Sequence, residues 1–246
     1  MGAAPDTARD LDEMEYAPGT DTIFMTLWDG GGIDTIDASN FNGVHIDLNP
    51  GQWITLSSNQ LADLDRTVDG VQPAAGNVAN SLFVSGTGPD GQPTNNLIEN
   101  AVGGVGADWI AGNQASNRIE GRGGADTLSG GPGGDYFVYT ELAASSGATP
   151  DTVLDFDRSD VFMFVGIDAQ PNSSRLQQFI WHNELHDYQE LQPGEFGFVL
   201  NATGSGGTLF ARVDGDLTID FEVDVTFLGP VTFNATSVQQ ASVFLV

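Results

Sequence analysis

A nine-residue alternation of glycine, polar and apolar positions governs the middle of the chain. In each block the sixth position carries a side-chain oxygen and the eighth is apolar, and in three of the five blocks the first four positions hold three glycines. A pattern that recurs at a constant period predicts a solenoid, whereas a flexible glycine-rich linker, the alternative, needs no apolar residue at every ninth position. The blocks are TNNLIENAV (94–102), GGVGADWIA (103–111), GNQASNRIE (112–120), GRGGADTLS (121–129) and GGPGGDYFV (130–138).

Each block predicts a tight glycine turn followed by a short strand. Glycine adopts backbone conformations that other residues avoid, and the eighth side chain of the block then points inward from the strand. Two blocks complete one coil, so that every second block stacks at the strand spacing of about 4.8 Å. This arrangement places Asp108 over Asp126, and Asn117 between Glu99 and Asp135.

The stacked acidic side chains predict a cation between the coils. Carboxylates at this spacing repel one another unless a positive charge separates them, and two calcium–oxygen bonds of about 2.3–2.6 Å roughly span the gap. Oxygen ligands in a chain without cysteine favour Ca²⁺ over zinc or copper. We therefore expect several Ca²⁺ ions held by carboxylates and turn carbonyls, although trivalent lanthanides share the same preference.

The regions around the repeat predict further β-structure. Apolar residues alternate or run together in FGFVLNA (196–202), TLFARVDG (208–215) and TIDFEVDVTFLG (218–229), as they do in strands. The predicted fold class is all-β, a parallel β-roll flanked by antiparallel β-sandwich-like caps. We expect a leader or linker stub at 1–20 and one domain at 21–246, with the roll at 95–140 and a β cap at 161–246. The segments ELAASS (141–146) and SSRLQQFIW (173–181) predict short helices.

Composition narrows the classes of function. The chain has 34 acidic and 7 basic residues, a net charge of −27, so it repels nucleic acid and anionic membranes and attracts cations. Plain solubility in a saline habitat is the alternative explanation of this charge. The chain has no cysteine and therefore no disulfide bond, so a bound metal is the remaining means of cross-linking the fold. Residues 1–16 lack the apolar stretch of a Sec signal peptide, and no apolar run is long enough to insert into a membrane.

The sequence holds no recognisable catalytic motif. The zinc-protease motif H-E-x-x-H, the phosphate loop and the G-x-S-x-G elbow are all absent from it. On a strand, His182, Glu184 and His186 would share one face and could bind a metal, but a polar strand or loop is the favoured interpretation. Trp28 and Trp109 are interpreted as packing residues rather than as a sugar platform. We predict that this chain is not itself an enzyme.

The nonapeptide matches the calcium-binding RTX repeat, and the resemblance extends beyond it. Several segments are similar, in the same order, to the C-terminal domain of serralysin-type metalloproteases, without the catalytic domain. They are TLWDGGGIDTIDASNF (26–41), HIDLNPG (45–51), IENAVGG (98–104), PDTVLDF (150–156) and RVDGDLTIDFEV (212–223).

The resemblance implies a set of metal ligands in the first loop, the turns and the closing segment. These are Asp29, Gly31, Gly32, Asp34, Glu99, Gly104, Gly106, Asp108, Asn113, Ala115, Asn117, Gly121, Gly123, Gly124, Asp126, Gly130, Gly131, Gly133, Asp135, Asp155 and Asp160. The chain departs from the family in having few repeats, in an insertion at 57–94, and in ending on ASVFLV without the usual acid.

The resemblance also implies a secreted, extracellular calcium-binding module. Such a chain would stay disordered in the calcium-poor cytosol, leave through a type I secretion apparatus and fold on binding Ca²⁺ outside. Two alternatives stay open. The chain could be the non-catalytic C-terminal part of a serralysin-like metalloprotease, or a stand-alone extracellular binding protein that uses the 57–94 insertion to hold a ligand.

Overall fold

A computed structural model describes residue 19 and residues 21–29, 31–64, 72–83, 85–87, 93–147, 149–169, 177–182, 185–216 and 218–241. Across these residues the chain is built from short strands joined by turns, which confirms the predicted all-β class. Most of the predicted leader lies outside the described residues, as do residues 65–71, 84 and 88–92 of the insertion, Glu184 and the last five residues.

Nineteen strands and four 3₁₀-helical turns are present in the described part of the chain. The strands are β1 Met25–Leu27, β2 Thr35–Asp37, β3 His45–Asp47, β4 Trp53–Ile54, β5 Val78–Asn80, β6 Ser85–Thr87, β7 Pro93–Asn95, β8 Asn100–Val102, β9 Trp109–Ala111, β10 Arg118–Glu120, β11 Thr127–Ser129, β12 Tyr136–Tyr139, β13 Asp151–Phe156, β14 Val161–Val165, β15 Ile180–Trp181, β16 Glu195–Leu200, β17 Gly206–Arg212, β18 Phe221–Phe227 and β19 Val238–Ala241. The turns are Ser58–Gln60, Leu142–Ala144, Tyr188–Glu190 and Ala235–Ser237.

Two parallel ladders form the roll, one on each side of the core. One runs in the order β2, β8, β10, β12 and β14, and the other in the order β3, β9, β11 and β13. Ile119 pairs with Ala101 on one side and with Phe137 on the other, so residues eighteen apart are neighbours. The predicted stacking of every second block is confirmed. The ladders also extend beyond 95–140, because β2 and β3 precede the repeats in register and β13 and β14 follow them.

The eighth-position side chains meet between the two ladders and form the core. They are fully buried, and burying such apolar side chains contributes roughly 1.5–3 kcal/mol each. Aliphatic residues fill the first coils, and rings take over toward the C-terminal end, where Phe137, Phe156 and Phe162 contact one another. The core therefore continues without a break from the roll into the C-terminal region.

The C-terminal strands extend the sheets of the roll. Strands β16, β17 and β18 form the predicted antiparallel arrangement, and β18 then pairs in parallel with β13. Strand β19 pairs with β14 in the other ladder. The cap thus covers the end of the solenoid by continuing both of its sheets, and the open end that a solenoid must protect is closed in this way.

The structure corrects both helix predictions for segments outside the roll. The segment 141–146 holds a single 3₁₀-helical turn, Leu142–Ala144. The prediction for 173–181 is wrong where the structure describes it, because Ile180–Trp181 is a strand that pairs with β16, and edge pairing overrides the local preference. None of the helical segments in the described ranges has the length and apolar character needed to cross a bilayer.

Candidate metal centre

A ladder of hydrogen-bonded acidic and amide side chains follows each edge of the roll. The backbone N–H of Asp108 donates to Asp126 Oδ1 at 2.9 Å, and that of Asn117 donates to Asp135 Oδ1 at 2.8 Å. Asp126 and Asp135 therefore each accept a hydrogen bond from the sixth residue of the block one coil earlier. The placement of Asp108 over Asp126 is confirmed.

The same contact continues past both ends of the repeat. Before it, the N–H of Asp34 donates to Glu99 at 2.9 Å. After it, the N–H of Asp126 donates to Asp151 Oδ1 and that of Asp135 to Asp160 Oδ1, both at 2.9 Å. Sequence reasoning singled out Glu99 and Asp160 but missed Asp151. The missed signal is the triplet Asp-x-apolar, which recurs at 151–153 after the nine-residue spacing has been interrupted.

Two carboxylate oxygens in this ladder have no hydrogen-bond partner among the described residues. They are Oδ2 of Asp126 and Oδ2 of Asp135, whose residues are only 1% and 0% exposed. Other ladder acids are satisfied, since Asp108 Oδ2 accepts from the Gly104 N–H at 2.7 Å and Asp151 Oδ2 accepts from the Tyr139 hydroxyl at 2.9 Å. A buried carboxylate oxygen without a partner is costly, so both positions require a positive charge or a proton.

Burial raises the pKa of every ladder acid for which a shift is resolved. It raises the pKa of Asp126 to about 7, with a further contribution from the charge of Asp108. The pKa of Asp135 rises to about 7 and that of Asp160 to about 6, through burial first and then neighbouring aspartates. For Asp151, burial and the charge of Asp126 raise the pKa to about 8. Without a cation, these carboxyl groups therefore titrate between about pH 6 and 8, well above the usual range of an aspartate.

The turns of successive coils lie directly on one another. A side chain on Gly121 would collide with Asp126, and one on Gly130 would collide with Asp135. The glycines at the start of these blocks thus leave the space that the carboxylates occupy. The other predicted turn residues form stacked pairs one coil apart: Gly104 with Gly123, Gly106 with Gly124, Asn113 with Gly131, and Ala115 with Gly133.

Replacing Gly124 by alanine should prevent the coils from stacking. Its φ of +133° is a conformation that residues with a Cβ rarely adopt, and that Cβ would lie 2.6 Å from the carbonyl carbon of Gly106. We expect a loss of about 3 kcal/mol or more in the free energy of unfolding, measured by urea denaturation in calcium. Gly215→Ala is the matched control, because a Cβ there meets no atom within 4 Å. Equal stability of the two variants would contradict the stacked geometry.

On one edge of the roll, the turn between β9 and β10 carries the neutral amides Asn113 and Asn117, whereas the turns on the other edge carry acids. The Asn117 amide donates to Glu99 O at 2.9 Å and its oxygen accepts from the Asn113 N–H at 2.8 Å. Asn113 in turn donates to Ile98 O at 2.8 Å and Leu48 O at 3.1 Å, and accepts from the Ala115 N–H at 2.9 Å. Hydrogen bonds between neutral groups therefore hold this half of the coil.

The closing segment gathers acids around the last turn. Asp155 accepts from the N–H groups of Gly130 and Gly131, both at 2.9 Å, so it contacts the turn at 130–133. Asp160 accepts from the Asp157 N–H at 2.7 Å, and Asp157 also contributes to the raised pKa of Asp135. Asp157 was not predicted as a site residue, because it falls outside both the repeat and the Asp-x-apolar triplet.

The first loop lies next to Glu99. Asp29 Oδ1 accepts from the Gly31 N–H at 2.9 Å, and Gly32 lies close to the Asp34 carboxylate. The charge of Asp29 reaches Glu99, whose pKa is raised chiefly by burial. The predicted first-loop residues therefore adjoin the start of the ladder, and their role as metal ligands stays a prediction.

Side chains alone do not form a complete metal site in the described ranges. No three Asp, Glu or His side chains there are grouped so that they could hold an ion. The acids are spaced one per coil, so a cation between coils would need backbone carbonyls of the turns as its remaining ligands.

The remaining candidate residues do not belong to the ladder. His186 is 3.8 Å from Glu190, and Glu184 lies outside the described residues, so the proposed sharing of one face is not tested. Trp109 stacks on His45 as a packing residue, whereas Trp28 is 70% exposed, so its interpretation as a packing residue is wrong.

Comparisons with a family model and with individual proteins both match this chain to peptidases. A family model described as Peptidase M10 serralysin C terminal matches residues 2–236. Serralysin G of Dickeya chrysanthemi is 35% identical over 147 residues, which are 56% of this chain and 26% of that protein. Metallopeptidase AprA of Pseudomonas marginalis is 32% identical over 119 residues, which are 48% of this chain and 19% of that protein. The chain thus aligns with about a quarter of one relative and about a fifth of the other.

Proposed function

The chain belongs to the peptidase M10 serralysin C-terminal family, and on this premise we propose that it is a calcium-binding module that folds outside the cell. The observation that carries the proposal is the pair of buried carboxylate oxygens without partners, Asp126 Oδ2 and Asp135 Oδ2. Each lies on a glycine turn stacked against the turn of the preceding coil. A hard divalent cation satisfies such oxygens, and carboxylate and carbonyl ligands suit Ca²⁺.

The ladder suggests which residues would hold the ions. On one edge they are Asp108 and Asp126, with carbonyls of the turns at 104–106 and 121–124. On the other they are Asp135, Asp155 and Asp160, with carbonyls of the turn at 130–133. When bound, Ca²⁺ would supply the positive charge that the buried carboxylates lack, and the chain's own residues position the oxygens through the ladder of N–H donors.

Folding and calcium binding should then be a single process. A chain of net charge −27 with several buried acids repels itself in the absence of cations. Because the coils are assembled only in the folded chain, the free energy of calcium binding becomes free energy of folding. In a calcium-poor cytosol the chain would stay unfolded, which suits export through a type I apparatus, and it would fold in extracellular calcium.

Circular dichroism tests the coupling directly. The purified chain should show the spectrum of a disordered polypeptide in excess chelator and a β-rich spectrum in millimolar Ca²⁺. Magnesium at the same concentration is the control and should not restore the signal, because Mg²⁺ gives up its water ligands reluctantly. A folded β spectrum that is the same in chelator and in calcium would end the proposal.

Replacing Asn117 by aspartate should add a calcium ion to the amide-filled position. In chelator, with trimethylamine oxide added to induce folding, the variant should be about 1–3 kcal/mol less stable than the parent chain, because a carboxylate would face the acceptors Glu99 O and Asn113 Oδ1. In calcium it should recover that loss and bind one more ion than the parent chain, as counted by native mass spectrometry. Asn100→Asp, on the outer face of β8, is the control. An equal loss of stability in both conditions, without an additional ion, would contradict the proposal that a carboxylate at position 117 completes a calcium site.

The second candidate function is the non-catalytic C-terminal part of a secreted serralysin-like metalloprotease. The similarity of the chain to a serralysin and to a metallopeptidase favours it. The sequence has no H-E-x-x-H motif, so proteolysis would need a zinc site from another segment. An upstream coding sequence in the same reading frame that encodes this motif would support the candidate. A stop codon directly before Met1 would exclude it.

A further inference from the structure

A row of alternating hydroxyl groups and aromatic rings faces outward from the segment 22–28, which contains β1. Every second side chain of this segment is exposed, as on one face of a strand, and the four residues of the row are Thr22, Phe24, Thr26 and Trp28. Phe24 is 52% and Trp28 is 70% exposed, whereas Ile23 is only 1% exposed. The ladder of acids uses none of these four side chains, so the row has no role in calcium binding.

A three-stranded sheet packed on the roll holds this row in place. Strand β5 lies between β1 and β4. The ring of Trp53, on β4, lies close to that of Phe24, with centroids 5.8 Å apart and planes inclined by 25°. On the opposite face of the sheet, Ile54 and Val78 are completely buried in the core. The outward rings are therefore positioned in advance, and a ligand that stacks on them pays little for ordering them.

The strands of this sheet carry no charge, in contrast to the chain as a whole. Their sequences are MTL, WI and VAN, without any acidic or basic residue. The chain nevertheless holds 34 acids and has a net charge of −27. An anionic ligand is repelled by the whole chain, and a cationic ligand is attracted to its acids elsewhere. The outward face of the sheet therefore suits an uncharged ligand.

The two threonines of the row distinguish a carbohydrate from a purely apolar partner. A lipid or an apolar protein surface would remove the hydroxyl groups of Thr22 and Thr26 from water without offering a hydrogen bond, which costs free energy. A sugar ring presents C–H groups on its flat faces and hydroxyl groups at its rim, so it satisfies rings and threonines together. Phe24 and Trp28 are four residues apart along the strand, about 13 Å, which exceeds the length of one hexose ring. The row therefore fits a polymer.

We propose that this face binds a neutral polysaccharide, whose sugar rings stack on Phe24 and Trp28 while its hydroxyl groups bond to the threonines between them. Trp53 widens the platform beside Phe24. The chain would thus attach to an extracellular polymer through the small sheet and leave the roll free to bind its ions. Since the face belongs to the surface of the folded chain, the proposal does not depend on which ion the roll holds.

Depletion of the full chain from solution by insoluble polysaccharides tests the proposal. Microcrystalline cellulose, chitin and curdlan are the neutral probes, used in millimolar calcium after circular dichroism has shown that each variant is folded. The parent chain should bind at least one of them. Phe24→Ala and Trp28→Ala should each weaken that binding about threefold to tenfold, the contribution of one aromatic contact. Tyr188→Ala is the matched control, because Tyr188 is an exposed ring on the C-terminal cap, and it should bind like the parent chain.

Two results would overturn the polysaccharide site. One is the absence of depletion by all three polymers, and the other is depletion that both alanine variants leave at the parent level. Trp28 adjoins Asp29 in the sequence, so if Trp28→Ala does not fold, Phe24→Ala decides alone. Binding to phosphatidylcholine vesicles or dimerisation that depends on these rings, in place of depletion, would assign the face to a lipid surface or to a second copy of the chain. A chain that folds and is depleted equally without calcium would overturn only the proposed function.

Discussion

Asp126→Asn is expected to make the calcium-free chain easier to fold and the calcium-loaded chain harder to fold. Without calcium, the parent buries a carboxylate whose pKa burial raises to about 7, so its ionised form opposes folding. Asparagine removes that charge and keeps an oxygen for the Asp108 N–H. Since one pKa unit corresponds to about 1.4 kcal/mol, the expected gain at pH 8 is about 2–4 kcal/mol. In calcium the same change removes a charged ligand and should weaken binding by about tenfold to a hundredfold.

Osmolyte-induced folding in chelator and calcium titration make both halves of this prediction measurable. Less trimethylamine oxide should fold the variant in chelator than folds the parent chain, because the osmolyte favours compact states. More calcium should be needed to fold it in buffer. Asp37→Asn is the matched control, since Asp37 lies outside the ladder and accepts from the Ser39 N–H at 2.8 Å. A destabilisation of equal size with and without calcium would mean that the Asp126 carboxylate stabilises the fold by itself.

The pH dependence should have opposite signs in the two metal states. Four ladder acids have pKa values of about 6 to 8 in the folded chain, above the value of 3.8 for an unperturbed aspartate; they are Asp126, Asp135, Asp151 and Asp160. The folded chain thus binds more protons than the unfolded chain between roughly pH 4 and 8. Without calcium, its stability should fall as the pH rises through that window. In calcium, each ion displaces protons, so the apparent affinity should rise with pH and level off above about pH 8.

Two experiments check these signs. In chelator, the folded fraction at a fixed osmolyte concentration should increase as the pH is lowered from 8 to 5. Calorimetric titration with calcium in two buffers of different ionisation enthalpy should reveal proton release at pH 7, and the affinity should drop about tenfold or more between pH 8 and 6. The absence of proton release at pH 7 would show that these acids are already ionised without the metal.

The sequence predicts the repeating part of this structure well, because one spacing encodes both turn and strand. Glycine at the start of a block and an apolar residue at its eighth position were sufficient to pair Ile119 with Ala101 and Phe137. The position of Asp126 one coil from Asp108 follows from the same count. Local rules succeed here because each coil contacts only its neighbours.

The remaining features depend on contacts that no spacing encodes. Asp151 joins the ladder only after the chain has interrupted the repeat, so a fixed period cannot find it. The Asn113–Asn117 pairing needs the carbonyls of Leu48 and Ile98, which lie far away in the sequence. Ile180–Trp181 forms a strand because it pairs with strand β16. In each case the tertiary partner decides the outcome.

Diffraction from crystals of the calcium-loaded chain, with anomalous differences measured for the metal, would locate the calcium ions directly. We predict anomalous peaks between stacked turns, one bound by Asp126 Oδ2 and another by Asp135 Oδ2, the two ladder oxygens without partners among the described residues. Carbonyl oxygens of the glycine turns should complete each coordination shell at about 2.3–2.6 Å. Ordered water beside both oxygens in millimolar calcium, with no anomalous peak, would contradict calcium binding by the ladder.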